Sequence, residues 1–391
     1  MHRVIVSQSV SITTTADCTP TRTPRVLLVV GGLDCGGAQR VMAGMGNYWA
    51  ARGWQVQLAT WTGPEIPDFY ELLPSIERTW LGVRIAGHSP FAVLRASVAR
   101  VLKLRRLLQH SKPDAVVSFI DVSNIYTIIA AMGLSLHVVV SERTNPSVNA
   151  TVSRPWRVLR RIVYSWASHV VAQTQDAARW IETRCRASVV VIPNALRALP
   201  VHDCRREPLI VAVGRLSAEK GLDVLLRAFS QVRGEFPEWS VQIIGDGPAR
   251  NALEALRASL NLSDSVHFLG QVQNVEEWLA RAGLMIHSSR REGFPNAVLE
   301  AMGMGAAVIC ADCPSGPAEL IQDGVNGRLV PVGDVGALAR VMAELMKRPQ
   351  ARERLGLEAV RVRQQYDPCT IMAKWEACLA LGPRGSDHGS R

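Results

Sequence analysis

The sequence has no apolar segment long enough for a membrane-spanning helix. Its longest candidate, YTIIAAMGLSLHVVV at residues 126–140, carries a histidine and falls short of the roughly 18 uncharged apolar residues that a span needs. Residues 1–24 contain neither a continuous apolar stretch nor a small-residue cleavage site, so they predict a disordered Ser/Thr-rich tail rather than a signal peptide. These absences together predict a cytoplasmic protein.

Paired cysteines and clusters of metal ligands are also scarce. The eight cysteines are scattered, and the one close pair, Cys310 and Cys313, has no second pair to complete a zinc site. We therefore expect reduced thiols and no metal site. Aromatic residues make up only 6% of the chain and do not interleave with the basic positions, which argues against nucleic acid as a partner.

The length and composition predict a globular protein of two domains. A chain of 391 residues is too long for one hydrophobic core, because cores stop growing near roughly 250 to 300 residues. Hydrophobic residues make up 48% of the chain and charged residues 20%, which is typical of a folded protein. The net charge of +10 favours an anionic partner, such as a nucleotide or a phospholipid surface.

Short apolar runs alternate with helical patterns in two arrays. The first begins RVLLVVGG, AQRVMAGMGNYWAARG, WQVQLATW, and the second follows PLIVAVGR, SVQIIGDGP, SVHFLGQV, LMIHSS. This alternation is typical of βαβ units, so it predicts an α/β protein with two doubly wound, Rossmann-like parallel sheets. The expected divisions are a tail at 1–24, domains at 25–195 and 207–366, a Pro-containing linker at 196–206, and a C-terminal helix and tail at 367–391.

The first Gly-rich loop, GGLDCGGAQR, fits neither of two familiar nucleotide motifs. It is not G-x-G-x-x-G, and the P-loop Lys-Ser/Thr pair is replaced by Gly37 and Ala38. What remains is a backbone that a ligand can approach at Gly36 and Gly37, followed by a helix N-terminus that favours an anion. A plain tight turn explains the same residues.

Two loops of the second array are candidates for phosphate binding. In VGRLSAEKGLD, Arg215 and Lys220 follow a strand beside Gly214, so a guanidinium and an ammonium can converge on a diphosphate. In IGDGP, Gly245 and Gly247 follow the next strand. The alternatives are solvated cations and an ordinary Gly-Asp turn.

The stretch REGFPNAVLEAMGMG contains two glutamates with seven residues between them. Glu292 lies in the loop before a helix that Pro295 is suited to begin, and Glu300 lies about one and a half turns inside it. Periodicity places Glu300 opposite the apolar stripe. At that position it could be either a solvated surface charge or a ligand-binding residue, and periodicity alone does not decide between them. Glu292 is the stronger candidate because Gly293 exposes backbone amides at a strand's carboxyl end.

The segment EGFPNAVLEAM resembles the E-x7-E signature of retaining GT-B glycosyltransferases, in particular the family-4 group. Its companions fall in the expected order: GGAQR, VIPN, GRLSAEKG, IGDGP and GPAELIQDGVNGRLV. The resemblance runs from about residue 25 to 381, and VVSERTNP is similar to members that build bacterial surface polysaccharides and lipid-linked oligosaccharides. It implies a GT-B fold whose C-terminal helix packs back on the N-terminal domain.

The resemblance also implies roles for the candidate residues. The N-terminal domain would bind an acceptor and the C-terminal domain a nucleotide sugar, with UDP-sugar favoured as co-substrate and neither cofactor nor metal required. Glu292, Arg215 and Lys220 would be catalytic, and Glu300 would bind the ribose. The other donor-binding positions would be Gly214, Gly245, Gly247, Gly293, Phe294 and Asn296, and Gly36 with Gly37 would close over the donor phosphate or acceptor.

One position departs from the family pattern. Many relatives have a histidine near the reacting centre, where this chain has Glu142 and Arg143, so these two are assigned to an acceptor or phosphate loop. His137 precedes this segment and is interpreted as structural. Without an obvious protein nucleophile, a same-face substitution fits better than a glycosyl-enzyme.

Two basic helical segments predict peripheral contact with an anionic membrane, at the inner face of the cell membrane. The alternative is a pair of solvated helix faces. The first, ARVLKLRRLLQHSK, carries Arg100, Lys103, Arg105, Arg106 and Lys112, and the second, RPWRVLRRIVYSW, carries Arg154, Arg157, Arg160 and Arg161.

We therefore expect a retaining, metal-independent hexosyltransferase that extends a glycan, expected to be polyprenyl-linked, in cell-surface polysaccharide synthesis. Two alternatives remain: a nucleotide-sugar epimerase of the same fold, and a non-catalytic subunit that binds a sugar nucleotide. Intact Arg215, Lys220, Glu292 and Glu300 argue against the second.

Overall fold

The structure is a computed structural model that describes residues 23–34, 36–83, 90–147, 152–200 and 205–379. The tail expected at 1–24 therefore lies almost entirely outside the described residues. The same is true of residues 201–204 of the expected linker and of the chain beyond residue 379.

The N-terminal domain is built on a parallel sheet of seven described strands in the order β3-β2-β1-β4-β5-β6-β7. Its central strands are buried on both faces, because helices cover the sheet on either side. The strands are β1 (Arg25–Val30), β2 (Gln55–Thr60), β3 (Glu77–Trp80), β4 (Ala115–Phe119), β5 (His137–Ser141), β6 (His169–Ala172) and β7 (Val189–Val191). The helices are α1 (Gly37–Ala51), α2 (Pro90–Ser111), α3 (Asp121–Ala131), α4 (Arg154–Val163) and α5 (Gln175–Cys185).

The C-terminal domain repeats this plan with six described strands in the order β10-β9-β8-β11-β12-β13. The strands are β8 (Glu207–Val213), β9 (Ser240–Ile244), β10 (Val266–Gly270), β11 (Ala282–His287), β12 (Ala307–Ala311) and β13 (Arg328–Val330). The helices are α6 (Leu222–Val232), α7 (Arg250–Ser259), α8 (Val275–Arg281), α9 (Asn296–Gly303), α10 (Pro317–Leu320), α11 (Val335–Lys347), α12 (Pro349–Ala359), α13 (Val362–Gln365) and α14 (Pro368–Cys378). The predicted pair of doubly wound α/β domains is therefore confirmed.

The last helix returns to the N-terminal domain, as expected. Trp375 of α14 is buried against Phe119 of β4, with ring centroids 5.8 Å apart. The ring Nε2 of His137 lies 3.0 Å from the Cys378 carbonyl oxygen, so this histidine joins the helix to the sheet. Burial of α14 in the N-terminal core ties the two domains together through the chain itself.

No helix among the described residues is both long and apolar enough to cross a bilayer. The segment at residues 126–140 divides, as predicted, into the end of α3, a turn at Gly133 and the buried strand β5.

Candidate active site

The candidate site lies where loops at the carboxyl ends of both sheets face each other. In the C-terminal domain, the loop after β8 is joined to the loop after β11 by Arg290. Its guanidinium donates to both carboxylate oxygens of Asp223 at 2.7 and 2.9 Å, and its backbone N–H donates to the Glu219 carbonyl at 2.7 Å. This junction places Lys220 beside Glu292 although they are separated by 72 residues.

Glu292 is buried, at 9% exposure, and has two donors on one carboxylate oxygen. Lys220 Nζ lies 2.6 Å and His287 Nε2 2.7 Å from Glu292 Oε1. Burial raises the pKa of Glu292, but the opposing effects of His287 and Lys220 outweigh it and lower the pKa to about 2. The carboxylate is therefore ionised at neutral pH and can accept further hydrogen bonds.

Arg215 stands apart from this cluster. Its side chain is exposed, and no carboxylate of the described residues forms an ion pair with it. The Lys220 side chain crosses Gly214, where an added Cβ would lie 3.5 Å from Lys220 Cδ. Lys220 and Arg215 thus belong to one loop, one of them paired with a carboxylate and the other open to solvent.

Gly245 and Gly247 let the loop after β9 pack directly on the Arg215 loop. Gly245 has a φ of +131°, and a Cβ there would lie 2.0 Å from the Gly214 carbonyl oxygen. At Gly247 a Cβ would lie 2.4 Å from the Leu216 carbonyl oxygen. Two backbone bonds join the loops, Gly214 N–H to the Ile244 carbonyl and Leu216 N–H to the Asp246 carbonyl, both at 3.0 Å. These glycines support the Arg215 loop through their backbone.

Glu300 is also buried, but its two partners belong to the N-terminal domain and to the segment that joins the domains. Arg40 of α1 donates to Glu300 Oε1 at 2.6 Å, and Arg197 Nε lies 3.5 Å from Oε2. Arg197 additionally donates to Glu276 at 2.8 Å. The side of α9 opposite its apolar stripe therefore faces the other domain rather than solvent.

The N-terminal loop contacts the same helix. Gly37 begins α1, and a Cβ on it would lie 3.4 Å from Asn296 Nδ2 at the start of α9. Asn296 Oδ1 accepts a hydrogen bond from Asn194 Nδ2 at 2.7 Å. Tyr70 fixes the preceding Gly36, since its hydroxyl donates to the Gly36 carbonyl at 3.0 Å and accepts from the Gly36 N–H at 3.2 Å.

Gly293 and Phe294 have different environments despite being neighbours. A Cβ at Gly293 would lie 2.4 Å from the Arg143 carbonyl oxygen, so only glycine allows the two domains to approach this closely here. The Phe294 side chain is buried in the core of the C-terminal domain, 6.0 Å from the Tyr366 ring. A ligand contact at this position would therefore use its backbone.

Arg143 is a cation held between the domains. It donates to Asn194 Oδ1, lies 3.4 Å from Ser141 Oγ and stacks over Phe119, with 4.4 Å from Cζ to the ring centroid. Burial lowers the pKa of Arg143 to about 9, so it stays protonated at neutral pH. No carboxylate among the described residues pairs with it, which leaves its charge available to an anion.

The Glu142 side chain points into the N-terminal domain. Its Oε1 accepts from Tyr164 at 2.7 Å and from Arg160 at 3.3 Å, and burial raises its pKa to about 7. It does line a cavity of about 350 Å³ together with Asp121, Arg143 and Trp156. The structure thus places Glu142 at the wall of this cavity, bonded to Arg160 and Tyr164 of its own domain.

Sequence reasoning did not select three residues that the structure brings into the site. Arg40 belongs to the GGAQR motif and Arg197 to the linker, and both bind Glu300. His287 is the last residue of β11, in the segment LMIHSS. Its position at the carboxyl end of a strand is the sequence feature that could have marked it as a site residue. Among the described residues, no three His, Cys, Asp or Glu side chains are grouped so that they could hold a metal ion.

Family models match both halves of the chain. Residues 35–197 match Glycosyltransferase Family 4, and residues 203–361 match Glycosyl transferases group 1. Similar proteins include an uncharacterized glycosyltransferase of Methanocaldococcus jannaschii, 27% identical over 61% of this chain and 64% of that protein. An α-1,4-N-acetyl-D-galactosaminyltransferase of Campylobacter jejuni, named for a diNAcBac-PP-undecaprenol-linked substrate, is 25% identical over 91% of this chain and 98% of its own.

Solved structures agree in fold. Sucrose-phosphate synthase from Thermosynechococcus elongatus superimposes with a TM-score of 0.79 at 21% identity, covering 91% of this chain and 98% of that one. The Anabaena protein HepE in complex with UDP has a TM-score of 0.74 at 20% identity, covering 91% and 99%. With two facing Rossmann-like domains and both family models matched in order, the chain belongs to the family-4 type of GT-B glycosyltransferases.

Proposed function

We propose that this glycosyltransferase transfers a hexose from a nucleotide diphosphate sugar, with UDP as the favoured nucleotide, to a lipid-linked glycan in cell-surface polysaccharide synthesis. The observation that carries the proposal is the contact of Lys220 Nζ with Glu292 Oε1 at 2.6 Å. The exposed Arg215 lies in the same loop as Lys220, and Glu300 lies on α9, the helix that follows Glu292. Two cations and two carboxylates in that arrangement match the needs of a diphosphate joined to polyhydroxy groups.

In this proposal the donor spans the C-terminal loops. Arg215 and Lys220 bind the diphosphate, Glu300 accepts hydrogen bonds from the ribose hydroxyls, and Glu292 with the backbone amides near Gly293 holds the sugar. The UDP complex of the Anabaena neighbour supports UDP as the nucleotide to test first. The open Arg215 side chain is consistent with a ligand that brings its own negative charge.

The proposed reaction retains the configuration of the sugar. The bond from the anomeric carbon to the diphosphate oxygen breaks, and the acceptor oxygen bonds to the same face. The acceptor hydroxyl proton passes to the leaving phosphate oxygen. Arg215 and Lys220 stabilise the negative charge that develops on the diphosphate, which is the role a metal ion serves in other transferases. Lys220 and His287 both contact Glu292 Oε1, and these contacts hold the carboxylate in a fixed position from which it can accept a hydrogen bond from the sugar.

We place the acceptor in the N-terminal cavity beside Arg143. Trp156 offers an aromatic face to a sugar ring, and Asp121 and Glu142 offer carboxyl oxygens to its hydroxyls. The name of the Campylobacter relative, which specifies an undecaprenol diphosphate-linked substrate, supports a lipid-linked glycan as the acceptor class.

A membrane-bound acceptor agrees with an apolar and basic face formed by α2 and α4, which we assign to peripheral contact with the inner face of the cell membrane. On α4 and the turn after it, Val158, Ile162 and Trp166 recur every four residues, and each is more than half exposed. A second exposed stripe on α2 consists of Phe91, Leu94, Val98 and Leu102.

Both helices pack on α3, so the stripes belong to one side of the domain. The Tyr126 hydroxyl lies 2.9 Å from Ser97 Oγ of α2, and the Tyr126 ring lies 5.3 Å from that of Trp156 of α4. Neither helix contains an aspartate or glutamate. The face therefore combines apolar side chains with positive charge, which favours an anionic lipid surface.

Not every basic residue of these helices belongs to that face. Arg160 turns inward to Glu142, Arg100 donates to the Val83 carbonyl, and Arg105 donates to the Ala130 and Met132 carbonyls. Lys103 is exposed, but its ammonium donates to the Leu81 carbonyl. The exposed cations that remain are Arg95, Arg106, Arg154, Arg157 and Arg161, together with Lys112 just beyond the end of α2.

A panel of nucleotide sugars tests the donor. The protein should be stabilised against heat by one nucleotide diphosphate sugar and should release its nucleotide only slowly until a lipid-linked glycan is added. Isomerisation of the sugar without an acceptor would favour the epimerase, and binding without any turnover would favour the non-catalytic subunit.

Vesicle sedimentation tests the membrane face. Binding should require anionic lipid and weaken as salt is raised, because screening shortens the reach of the charges. Ile162→Glu should weaken binding, whereas Leu357→Glu, at a more exposed apolar position on α12 of the other domain, should not. Equal binding to neutral vesicles would exclude this assignment.

A further inference from the structure

His287 is a buried residue at the point where β11 ends, and it contacts Glu292 directly. Its side chain is 4% exposed, and its Nε2 lies 2.7 Å from Glu292 Oε1. Because Glu292 is ionised it can only accept hydrogen bonds, so His287 Nε2 must carry the proton of this contact. The tautomer of the ring is therefore fixed by the carboxylate.

The two donors to Glu292 differ in their freedom to move. Lys220 is a long side chain that is 23% exposed, and it also reaches Glu292 Oε1. In the proposed function Lys220 binds the donor diphosphate, so its ammonium must share or leave Glu292 when the donor arrives. His287 belongs to a central strand and cannot follow, because its backbone is fixed by pairing with β12.

Loss of Lys220 as a partner would leave a buried carboxylate with an uncompensated charge. A buried carboxylate without a partner destabilises the folded protein unless another hydrogen-bond donor remains beside it. His287 is the partner that stays. The neighbouring thiols of Cys310 and Cys313 contribute no charge, because burial raises the pKa of Cys310 well above its usual range and that of Cys313 to about 12.

We propose that His287 is a positioning residue that holds Glu292 by its Oε1 throughout turnover, so that Oε2 is presented to the hydroxyls of the transferred sugar. Both side-chain hydrogen bonds that the described residues make to the carboxylate reach Oε1, which leaves Oε2 as the acceptor for a ligand. The inference rests on the proposed function, which assigns Lys220 to the donor diphosphate.

Two variants of matched size separate positioning from packing. His287→Gln keeps an N–H donor at about the reach of Nε2, whereas His287→Leu fills similar space without a donor. We expect His287→Leu to lower kcat at least about tenfold with donor KM within about threefold, because the contact matters most as the sugar develops charge. His287→Gln should stay within about threefold of the wild type. Equal loss in both variants, with equal loss of melting temperature, would contradict the proposal.

A double-variant cycle tests whether His287 acts through Glu292. If it does, His287→Leu should have little further effect in a Glu292→Gln background, because residues that act as a unit are not additive. Independent, multiplicative losses would show that His287 works by another route and would overturn the proposal.

A third readout needs no turnover. Nitrogen spectra of protein labelled at histidine, with the His287 signals assigned by their absence in His287→Gln, should show a proton on Nε2. A neutral ring protonated at Nδ1 would overturn the proposal even if His287→Leu does not fold, because the assignment needs only His287→Gln. Were the nucleotide-sugar reaction itself absent, the Nε2 proton would still be expected, so the two failures are distinguishable.

Discussion

The two glutamates of the E-x7-E segment lie eight positions apart but in two different kinds of environment. Glu292 is bound within its own domain, by Lys220 of the loop after β8 and by His287 of β11. Glu300 is bound across the domain boundary, by Arg40 of α1 and by Arg197 of the linker segment. One glutamate of the motif therefore belongs to a cluster within the C-terminal domain, and the other forms a contact between the domains.

The two environments suit two different roles in the site. The geometry of Glu292 is set by strands and loops of one rigid sheet, which suits a group that must hold the reacting sugar precisely. The geometry of Glu300 depends on how the domains sit together, which suits a group that binds the donor as the cleft closes.

The largest loss should follow removal of the two cations in the loop after β8, Arg215 and Lys220. We expect Lys220→Ala and Arg215→Ala each to reduce turnover at least about a hundredfold, because each removes stabilisation of the leaving diphosphate. Steady-state kinetics with Arg227→Ala as control measures this, since Arg227 is an exposed cation of α6 on the same domain. Near-normal turnover in both site variants would remove the diphosphate assignment.

The preformed cluster should also be visible in stability against pH. The pKa of Glu292 falls from its ordinary value of 4.5 to about 2 in the folded protein. A lowered pKa contributes stability that is present above about pH 4.5 and is lost as the pH falls towards 2. The difference corresponds to a contribution on the order of 3 kcal/mol at neutral pH.

Denaturant unfolding of the wild type and Glu292→Gln between pH 7 and pH 3 measures this contribution. The variant should be less stable at pH 7, and the gap should narrow as the pH is lowered below about 4.5. Glu235→Gln, at an exposed position, serves as the control. A gap that is constant with pH would contradict the paired state of Glu292.

A smaller effect should follow from the interdomain contact. Arg40 donates to Glu300 Oε1 at 2.6 Å, on the carboxylate that the proposal assigns to the ribose, and the Arg40 side chain is 38% exposed. Arg40→Ala removes this competitor while Arg197 still neutralises Glu300, so we expect the donor dissociation constant to fall about two- to fivefold, in keeping with a partly exposed ion pair. Calorimetry with Arg52→Ala, just beyond the end of the same helix, provides the comparison. Weaker donor binding in Arg40→Ala would show that Arg40 itself contacts the donor.

The smallest effect is expected from chelation. If Arg215 and Lys220 supply the positive charge at the diphosphate, activity should survive EDTA with little change. Loss of activity that only a divalent cation restores would contradict this part of the proposal.

The sequence was most informative where a site element is continuous along the chain. GRLSAEKG, IGDGP and EGFPNAVLEAM each place their residues at the carboxyl end of a strand, and the general rule for open parallel sheets then predicts that they meet. The two-sheet architecture could be predicted from the alternation of apolar runs and helical patterns, because each repeat of that alternation corresponds to one βαβ unit.

Contacts between distant segments could not be predicted in this way. Arg40 and Glu300 are 260 residues apart, and nothing in either local pattern indicates the other. Helical periodicity assigned Glu300 to the side away from the core, which was geometrically correct, but it could not show that a second domain covers that side. Likewise, charge counting could not reveal that Arg160 neutralises the buried Glu142 instead of facing solvent.

If the two glutamates bind different parts of one nucleotide sugar, the kinetics of Glu292→Gln and Glu300→Gln should differ in kind. Glu300→Gln should mainly raise donor KM, because ribose contacts change little between the ground and transition states. Glu292→Gln should mainly lower kcat, because contacts to the sugar strengthen as positive charge develops at its anomeric carbon. Wild-type kinetics in both variants would contradict the account, since the pair would then be no more than buried structural charge.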